Sequence, residues 1–188
     1  RTIASYGFLL PHKGIQTLIG AFAHLAKNDP DLHLLLLNAL YPVADSAQEQ
    51  HACETLIERL GLGEQVTFIT DFQTDEQTLA QLQTASLIVY PYQNTKESAS
   101  GAVRIGLASG RPVAVTPLPI FEDVSEAVHT LSGTDEASLA AGIRQLLDSP
   151  AVIGQQASKT ARWVAAREWP QLSIRLLNII DGLANPLG

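Results

Sequence analysis

The sequence has a single cysteine, no methionine, few aromatic residues and few charged ones. Of its 188 residues only Cys53 is a cysteine, 6% are aromatic and 16% are charged. One cysteine excludes an internal disulfide and any cysteine-based zinc cluster, and the five histidines show no metal-ligand spacing. The longest apolar run, at residues 32–40, is too short to span a bilayer, and no secretory signal pattern is present. We therefore expect a cytoplasmic protein that binds no metal.

The composition is that of one globular domain with an acidic balance. Hydrophobic residues make up 46% of the chain, and the formal net charge is −7. An acidic chain of this kind lacks the basic face that duplex nucleic acid requires, so we expect no nucleic-acid partner. The chain begins at Arg1 and contains no methionine. We therefore expect residues 1–188 to be a single domain excised from a longer protein.

Strand and helix patterns alternate along the chain. A run of leucines is typical of a strand that is buried on both faces, and apolar residues three and four apart indicate helices. The predicted strands are 2–7, 32–37, 66–70, 86–90 and 112–116, with a short edge strand at 128–131. The predicted helices are 14–28, 44–60, 74–83, 99–109, 135–148 and 150–168. This alternation predicts an α/β, Rossmann-like domain: a doubly wound, mostly parallel sheet with helices on both faces.

Turn and cap signals refine this pattern. Thr74 followed by Gln77 is a capping-box pattern at the start of a helix. Two prolines in residues 116–120 predict a loop, because the residue before each proline disfavours helix. Cys53 lies at helical spacing from apolar neighbours, which predicts a small buried hydrophobic side chain. Pro170 begins a last amphipathic helix, which we expect to be a terminal crossing helix over 170–188.

The two most unusual loops follow the first and fourth strands. In an open parallel sheet, ligands bind beyond the carboxyl ends of the strands, where the strand order reverses. If the order is 3-2-1-4-5-6, that point lies between residues 7–14 and residues 91–101. We therefore expect these two loops to face each other across a ligand site.

The second of these loops combines an acid with small residues, in the order Glu97, Ser98, Ala99, Ser100 and Gly101. A helix that starts here would direct unpaired N–H groups and a positive dipole end at an anion such as phosphate. The alternative is an ordinary capped helix, since Ser is a common N-cap and Gly is common in turns.

Three further side chains, Lys13, Phe72 and His12, lie in loops that follow the first and third strands, and each has to be weighed as a ligand-binding residue. Lys13 stands just before the first helix, where its ammonium group can reach a phosphate. A lone lysine is usually a solvated surface residue, but the facing loop of acidic and small residues favours the phosphate-binding interpretation. Phe72 follows the third strand and either stacks on a nucleobase or packs on the core, and core packing is the favoured interpretation. His12 has no identified partner and is interpreted as a loop histidine.

These residues together resemble the C-terminal domain of GT-B-fold glycosyltransferases, in particular the retaining family 4 group. The resemblance covers nearly the whole chain. It rests on Gly7 with Pro11-His-Lys-Gly14, on the strand at 87–91, on Glu97 with residues 98–101, and on Gly110-Arg-Pro-Val113. It implies a hexosyltransferase-type enzyme whose C-terminal domain binds a nucleotide-sugar donor and whose N-terminal domain binds the acceptor, such as a growing glycan. It also implies that the isolated domain is inactive.

The resemblance assigns roles to individual positions. Glu97 would bind hydroxyl groups of the donor sugar, and Lys13 would neutralise the phosphates as the nucleotide leaves. Backbone N–H groups near Ser100 and Gly101 would hold the diphosphate, and Phe72 or its neighbours would line the base. Gly7, Gly14, Ser98, Ala99 and Ile105 complete the expected donor-binding set. The terminal helices would pass back to the N-terminal domain, and peripheral membrane contact through the missing part of the protein is left open.

Two positions depart from the family pattern. The family has an arginine immediately after the first-loop glycine, where this chain has Phe8. It also has a second glutamate eight residues after the first, which holds the ribose hydroxyls, and this chain has Ile105 there. Isoleucine cannot make those hydrogen bonds. These departures favour an alternative function, a degenerate and non-catalytic binding or scaffold domain of the same fold. A receiver-type signalling domain is set aside, because residues 4–7 contain no acidic cluster.

Overall fold

A computed structural model of the protein describes residues 1–184. Its centre is a six-stranded parallel sheet with the strand order β3-β2-β1-β4-β5-β6. The strands are β1 (Thr2–Leu9), β2 (His33–Leu40), β3 (Val66–Ile69), β4 (Leu87–Tyr90), β5 (Val113–Val115) and β6 (His129–Thr130). This is the strand order on which the expected ligand site depends, and the order reverses between β1 and β4, which pair directly.

Seven α-helices surround the sheet within residues 1–184. They are α1 (Ile15–Ala26), α2 (Ala44–Arg59), α3 (Asp75–Leu82), α4 (Gly101–Ala108), α5 (Glu136–Leu147), α6 (Pro150–Ala165) and α7 (Trp169–Ala184). One apolar core joins one face of the sheet to α1, α2 and α5. A second core joins the other face to α3, α4 and the segment Pro119–Ala127. The sheet is therefore covered on both faces, as the continuous apolar strands predict.

The core of the first face contains the single cysteine. Cys53 lies on α2 and is fully buried. Burial, with smaller effects of the nearby Glu49 and Glu54 carboxylates, raises the pKa of its thiol to about 12. The prediction of a buried, small apolar side chain is confirmed, and the thiol is kept in its unreactive protonated form at neutral pH.

The proline-rich segment after β5 is more ordered than predicted. Residues 116–120 are predicted to be a loop, but Pro119–Ala127 forms a 3-10 helix. Pro119 occupies its first turn, where the missing N–H has no helical partner to lose and the fixed φ suits the helix. A proline disfavours helical conformation only at the residue that precedes it, here Thr116 and Leu118. The residues from Pro119 onwards are therefore free to form the 3-10 helix. Ile120, Phe121 and Val124 bury this segment against the sheet.

The two last helices differ in how they pack. In α6, Thr160 is buried and its hydroxyl donates a hydrogen bond to the carbonyl of Ala127 at 2.8 Å. In α7, which begins one residue before Pro170, the large apolar side chains are between 38% and 81% exposed. Residues 185–188 of the predicted terminal helix lie outside the described residues. Within residues 1–184, no helix combines the length and hydrophobicity needed to span a membrane.

Candidate functional site

A cleft of about 430 Å³ opens at the carboxyl ends of β1 and β4, where the strand order reverses. It is lined by most of the residues that the sequence analysis predicts to bind the donor, and it continues along the sheet face towards α3. The predicted residues that line it are Gly7, Lys13, Phe72, Glu97, Ala99, Ser100, Gly101 and Ile105. The remaining lining residues are Tyr6, Phe8, Leu37, Ala39, Ile69, Asp71, Gln73, Thr78, Tyr92 and Ala102.

Close backbone contacts hold the two loops together. Gly14 has a φ of 71°, and a β-carbon at this position would overlap the carbonyl oxygen of Pro91. The backbone N–H of Gln93 donates to the carbonyl of His12 at 2.8 Å. Gly14 itself does not line the cleft, so its contribution is to let the β1 and β4 loops approach each other.

Lys13 is buried and paired. Its Nζ lies 2.8 Å from Oε2 of Glu97 and 4.1 Å above the ring of Tyr92. The side chain is only 11% exposed, so the interpretation as a solvated surface lysine is wrong. The ammonium group is held by a carboxylate on one side and by an aromatic face on the other, and it points into the cleft.

Glu97 has a second neighbour in His12, whose Nε2 lies 3.4 Å from Oε1. Burial and then the charge of Lys13 lower the pKa of His12, against smaller opposing effects of Glu97. Burial alone would raise the pKa of Glu97, but Lys13 and His12 together lower it below its usual value. At neutral pH the carboxylate is therefore ionised and the imidazole is uncharged. The uncharged ring forms no ion pair with Glu97, and among residues 1–184 its Nε2 has no hydrogen-bond partner.

Helix α4 begins later than the sequence predicts. Its first residue is Gly101, and Ser100 is the N-cap, whose Oγ accepts a hydrogen bond from the N–H of Val103. The hydroxyl of Tyr92 lies 3.0 Å from the same Oγ. A β-carbon on Gly101 would meet no atom within 4 Å. The first turn of α4 therefore presents open backbone to the cleft, and Glu97 lies in the loop before the helix.

The structure separates Ser98 from its neighbours. Ser98 is exposed and does not line the cleft, whereas the next two residues, Ala99 and Ser100, do. No periodicity governs an irregular loop, so the sequence could not tell which of these adjacent residues faces the ligand.

Aromatic side chains form the outer rim of the cleft. Phe72 is 75% exposed, so the favoured interpretation that it packs in the core is wrong. Its ring lies 6.2 Å from that of Phe8, with 25° between the planes. Phe8 also meets Tyr41 edge-on at 5.0 Å. The position where the family has an arginine is therefore part of an exposed aromatic cluster.

The two arginines near this site are engaged elsewhere. Arg104 donates to the carbonyl of Ser100 at 2.7 Å and pairs with Asp123, and Arg111 donates to the carbonyl of Ala85. Ile105 lines the cleft, one turn after Gly101. Neither arginine lines it, so Lys13 is the cationic side chain among the lining residues, which also include the acids Asp71 and Glu97.

Sequence reasoning missed Tyr92, Tyr6, Thr78 and Gln73. Tyr92 directly follows Pro91 in the loop that the sequence predicts to face the ligand, and this position could have identified it as a cleft residue. Tyr6 lies inside a strand and Thr78 inside a helix, and nothing local distinguishes them from core residues. Within residues 1–184, no group of three or more His, Cys, Asp or Glu side chains is placed to hold a metal ion.

Comparison with known proteins agrees with the fold. Residues 1–164 match the family model described as "Glycosyl transferases group 1". The chain belongs to this family of glycosyltransferases, and the predicted resemblance is confirmed.

Two curated relatives are D-inositol 3-phosphate glycosyltransferases. That of Corynebacterium efficiens is 31% identical over 174 residues, which cover 88% of this chain and 40% of the relative. That of Corynebacterium diphtheriae is 27% identical over 187 residues, which cover 98% of this chain and 43% of the relative. The chain therefore spans about two fifths of the length of these relatives.

Solved structures share the fold. A sucrose-phosphate synthase from Thermosynechococcus elongatus superposes with a TM-score of 0.78 at 22% identity, covering 99% of this chain and 46% of the other. Anabaena HepE, in complex with UDP and glucose, gives 0.78 at 18% identity, covering 98% and 48%. The C-terminal domain of LpcC from Francisella tularensis gives 0.75 at 17% identity, covering 88% and 85%. The predicted GT-B-type, Rossmann-like fold is confirmed.

Proposed function

We propose that this chain is the donor-binding part of a retaining glycosyltransferase, which transfers a sugar from a nucleotide-sugar to an acceptor such as a growing glycan. The observation that carries the proposal is the ion pair of the buried Lys13 with Glu97, 2.8 Å apart, at the point where the strand order reverses. The crystal structure of the similar fold in HepE contains UDP and glucose, which supports a nucleotide-sugar as the ligand class.

The pair suggests how the donor binds. A diphosphate that enters the cleft competes with the Glu97 carboxylate for the Lys13 ammonium group, because both ligands are anions. Once Lys13 has exchanged its partner, Glu97 is free to accept hydrogen bonds from hydroxyl groups of the sugar. Lys13 then neutralises the charge that develops on the leaving nucleotide, which is electrostatic stabilisation by a group already in place.

Backbone groups supply the rest of the anion site in this proposal. The first turn of α4 has unpaired N–H groups and the positive end of the helix dipole. Gly101 leaves this turn uncovered, so a phosphate can approach the backbone closely. Gly7, Ala99 and Ser100 complete the walls around it. The donor site so described uses no metal ion.

The acceptor site is proposed to lie in an N-terminal domain of the same protein, beyond residues 1–188. The chain spans about two fifths of the curated relatives, which leaves room for such a domain in a protein of their length. We therefore expect this chain to bind the donor without turning it over.

Titration calorimetry with UDP, GDP and ADP, with and without EDTA, tests this function. We expect one of the three to bind, equally well with EDTA. Lys13→Ala removes a charge-assisted hydrogen bond to phosphate and should weaken binding by about 1.5–3 kcal/mol, roughly 10- to 150-fold. The matched control is Lys96→Ala, because Lys96 is an exposed lysine in the loop that carries Glu97 and does not line the cleft.

Glu97→Gln separates the two roles of the pair. It frees Lys13 from a charged competitor, so the affinity for the nucleoside diphosphate should stay the same or rise. It should also reduce the added affinity of the complete nucleotide-sugar, because a neutral amide oxygen accepts hydrogen bonds from hydroxyl groups less strongly than a carboxylate. Absence of binding for all three nucleotides at millimolar concentration would contradict the proposal.

The second candidate function is a non-catalytic binding or scaffold domain. Phe8 and Ile105 favour it, because both line the cleft where the family has an arginine and a glutamate. Lys13→Ala and Glu97→Ala in the full-length protein distinguish the two functions. A scaffold would keep full activity of the protein in both variants, whereas a donor-binding domain would lose it.

A further inference from the structure

The inner end of the cleft is apolar except at one side. Beyond Lys13 and Glu97, it runs along the sheet face between α3 and α4. Its walls there are Leu37 from β2, Ile69 from β3 and Ile105 from α4. A sugar ring carries hydroxyl groups around its edge and would leave them without partners against these walls. A planar aromatic ring with polar atoms on one edge fits this distribution better.

Polar side chains are concentrated at the α3 side of this inner end. Tyr6 and Thr78, which both carry a hydroxyl group, line it, and Thr78 is 1% exposed. Burial raises the pKa of the Tyr6 hydroxyl, with a smaller effect of Asp75, and hydrogen bonding with Thr78 partly opposes the rise. Tyr6 is therefore protonated at neutral pH and has an O–H group to donate.

Gln73 adds an amide to this group. It follows Phe72 beyond the end of β3 and lines the cleft. Its Oε1 is buried, and among residues 1–184 this atom has no hydrogen-bond partner. Buried polar atoms are paired in the great majority of cases, and each exception needs an explanation. A ligand N–H group in the cleft would pair this oxygen.

We propose that Gln73, with the hydroxyl groups of Tyr6 and Thr78, recognises the hydrogen-bonding edge of the donor's nucleobase and so determines which base is accepted. A glutamine amide offers one acceptor and two donor hydrogens, which match the adjacent donor and acceptor atoms on the edge of a base. The apolar walls contact the faces of the base, and the aromatic rim of Phe72 and Phe8 covers its outer part. This inference rests on the proposed function and specifies the base-binding end of the same cleft.

The experiment compares Gln73→Ala with Gln81→Ala. Gln81 is a matched control, because its Oε1 is also buried without a partner among residues 1–184, but it lies on α3 and does not line the cleft. Each variant and the wild type are titrated with UDP, GDP, ADP and inorganic pyrophosphate, which has no base. We expect Gln73→Ala to weaken the preferred nucleotide about tenfold and to reduce the preference among bases. Pyrophosphate binding should be unchanged, and Gln81→Ala should resemble the wild type.

Tyr6→Phe provides a second variant that removes one hydroxyl and keeps the ring. It should also reduce the preference among bases without affecting pyrophosphate. If the wild type binds nucleotides and neither variant changes the preference, the base-recognition proposal is overturned and the donor-binding function stands. The same conclusion follows if the wild type binds all three nucleotides only as tightly as pyrophosphate. If the wild type binds none of the four ligands, both proposals fail.

Discussion

Gly14 joins the two loops of the cleft through its conformation and its lack of a side chain. Its φ is 71°, in the left-handed region, and a β-carbon would overlap the carbonyl oxygen of Pro91. Gly61 has nearly the same φ, 67°, but a β-carbon there would meet no atom within 4 Å. The two glycines therefore separate the cost of the backbone conformation from the cost of the close approach.

We predict that Gly14→Ala destabilises the protein more than Gly61→Ala. Gly61→Ala should cost about 1–2 kcal/mol, the penalty of a left-handed conformation for a residue with a β-carbon. Gly14→Ala should cost roughly 2 kcal/mol more, because the loops must also move apart. Urea unfolding of both variants measures the difference. Equal destabilisation would mean that the contact with Pro91 does not constrain the loops.

Lys13 and Glu97 show how far residue-level reasoning from the sequence extends. The sequence places them on loops that face each other, because both loops follow strands at the switch point of a doubly wound sheet. It does not indicate that Lys13 is buried or that Nζ lies 2.8 Å from the carboxylate. Nor does it indicate that Tyr92, which lies far from Lys13 in sequence, packs beneath the ammonium group.

At the scale of elements, α3 has a well-defined beginning. Thr74 Oγ1 accepts a hydrogen bond from the N–H of Gln77 at 3.2 Å, and the Gln77 side chain accepts one from the N–H of Thr74 at 3.1 Å. The predicted capping box is confirmed. It matters for the cleft, because α3 carries Thr78 one turn later.

We predict that Thr74→Ala lowers the free energy of unfolding by about 1 kcal/mol, the usual cost of losing an N-cap. Thr74→Ser keeps the hydroxyl and should restore most of this loss, so it serves as the control. Thermal or urea unfolding measures both variants. If the serine variant were as unstable as the alanine variant, the methyl group rather than the cap would be responsible.

The start of α4 is an element that the sequence located only approximately. Ser98 and Ser100 are both acceptable N-caps by residue type. The structure uses Ser100, whose Oγ lies 3.0 Å from the Tyr92 hydroxyl and whose carbonyl accepts from Arg104 at 2.7 Å. Residue type alone does not distinguish the two serines as N-caps. In the structure Ser100 is the one that contacts Tyr92, from the loop after β4, and Arg104, from α4 itself.

At the scale of the whole molecule, α7 differs from the other helices. Its apolar side chains are exposed, and those on Trp169, Ile179 and Leu183 are 81%, 60% and 76% exposed. Such an apolar surface contributes little to the stability of this chain and favours self-association in water.

We predict that a chain ending at Arg167 keeps the stability of the complete chain to within about 0.5 kcal/mol, because the removed side chains are largely exposed. It should also elute closer to a monomer on size-exclusion chromatography. Urea unfolding and chromatography at several concentrations test both expectations. A clear loss of stability would show that α7 packs on the domain in solution.

The sequence by itself determined the order of the elements along the chain and marked the two loops that bound the cleft. These follow from periodicity, caps and the chirality of parallel crossovers, which act over short stretches of chain. Only the tertiary structure decided that Lys13 is buried against Glu97, that Phe72 is exposed and that Gln73 faces the cleft. Each of these depends on contacts between strands and helices distant in sequence, and local patterns carry no information about such contacts.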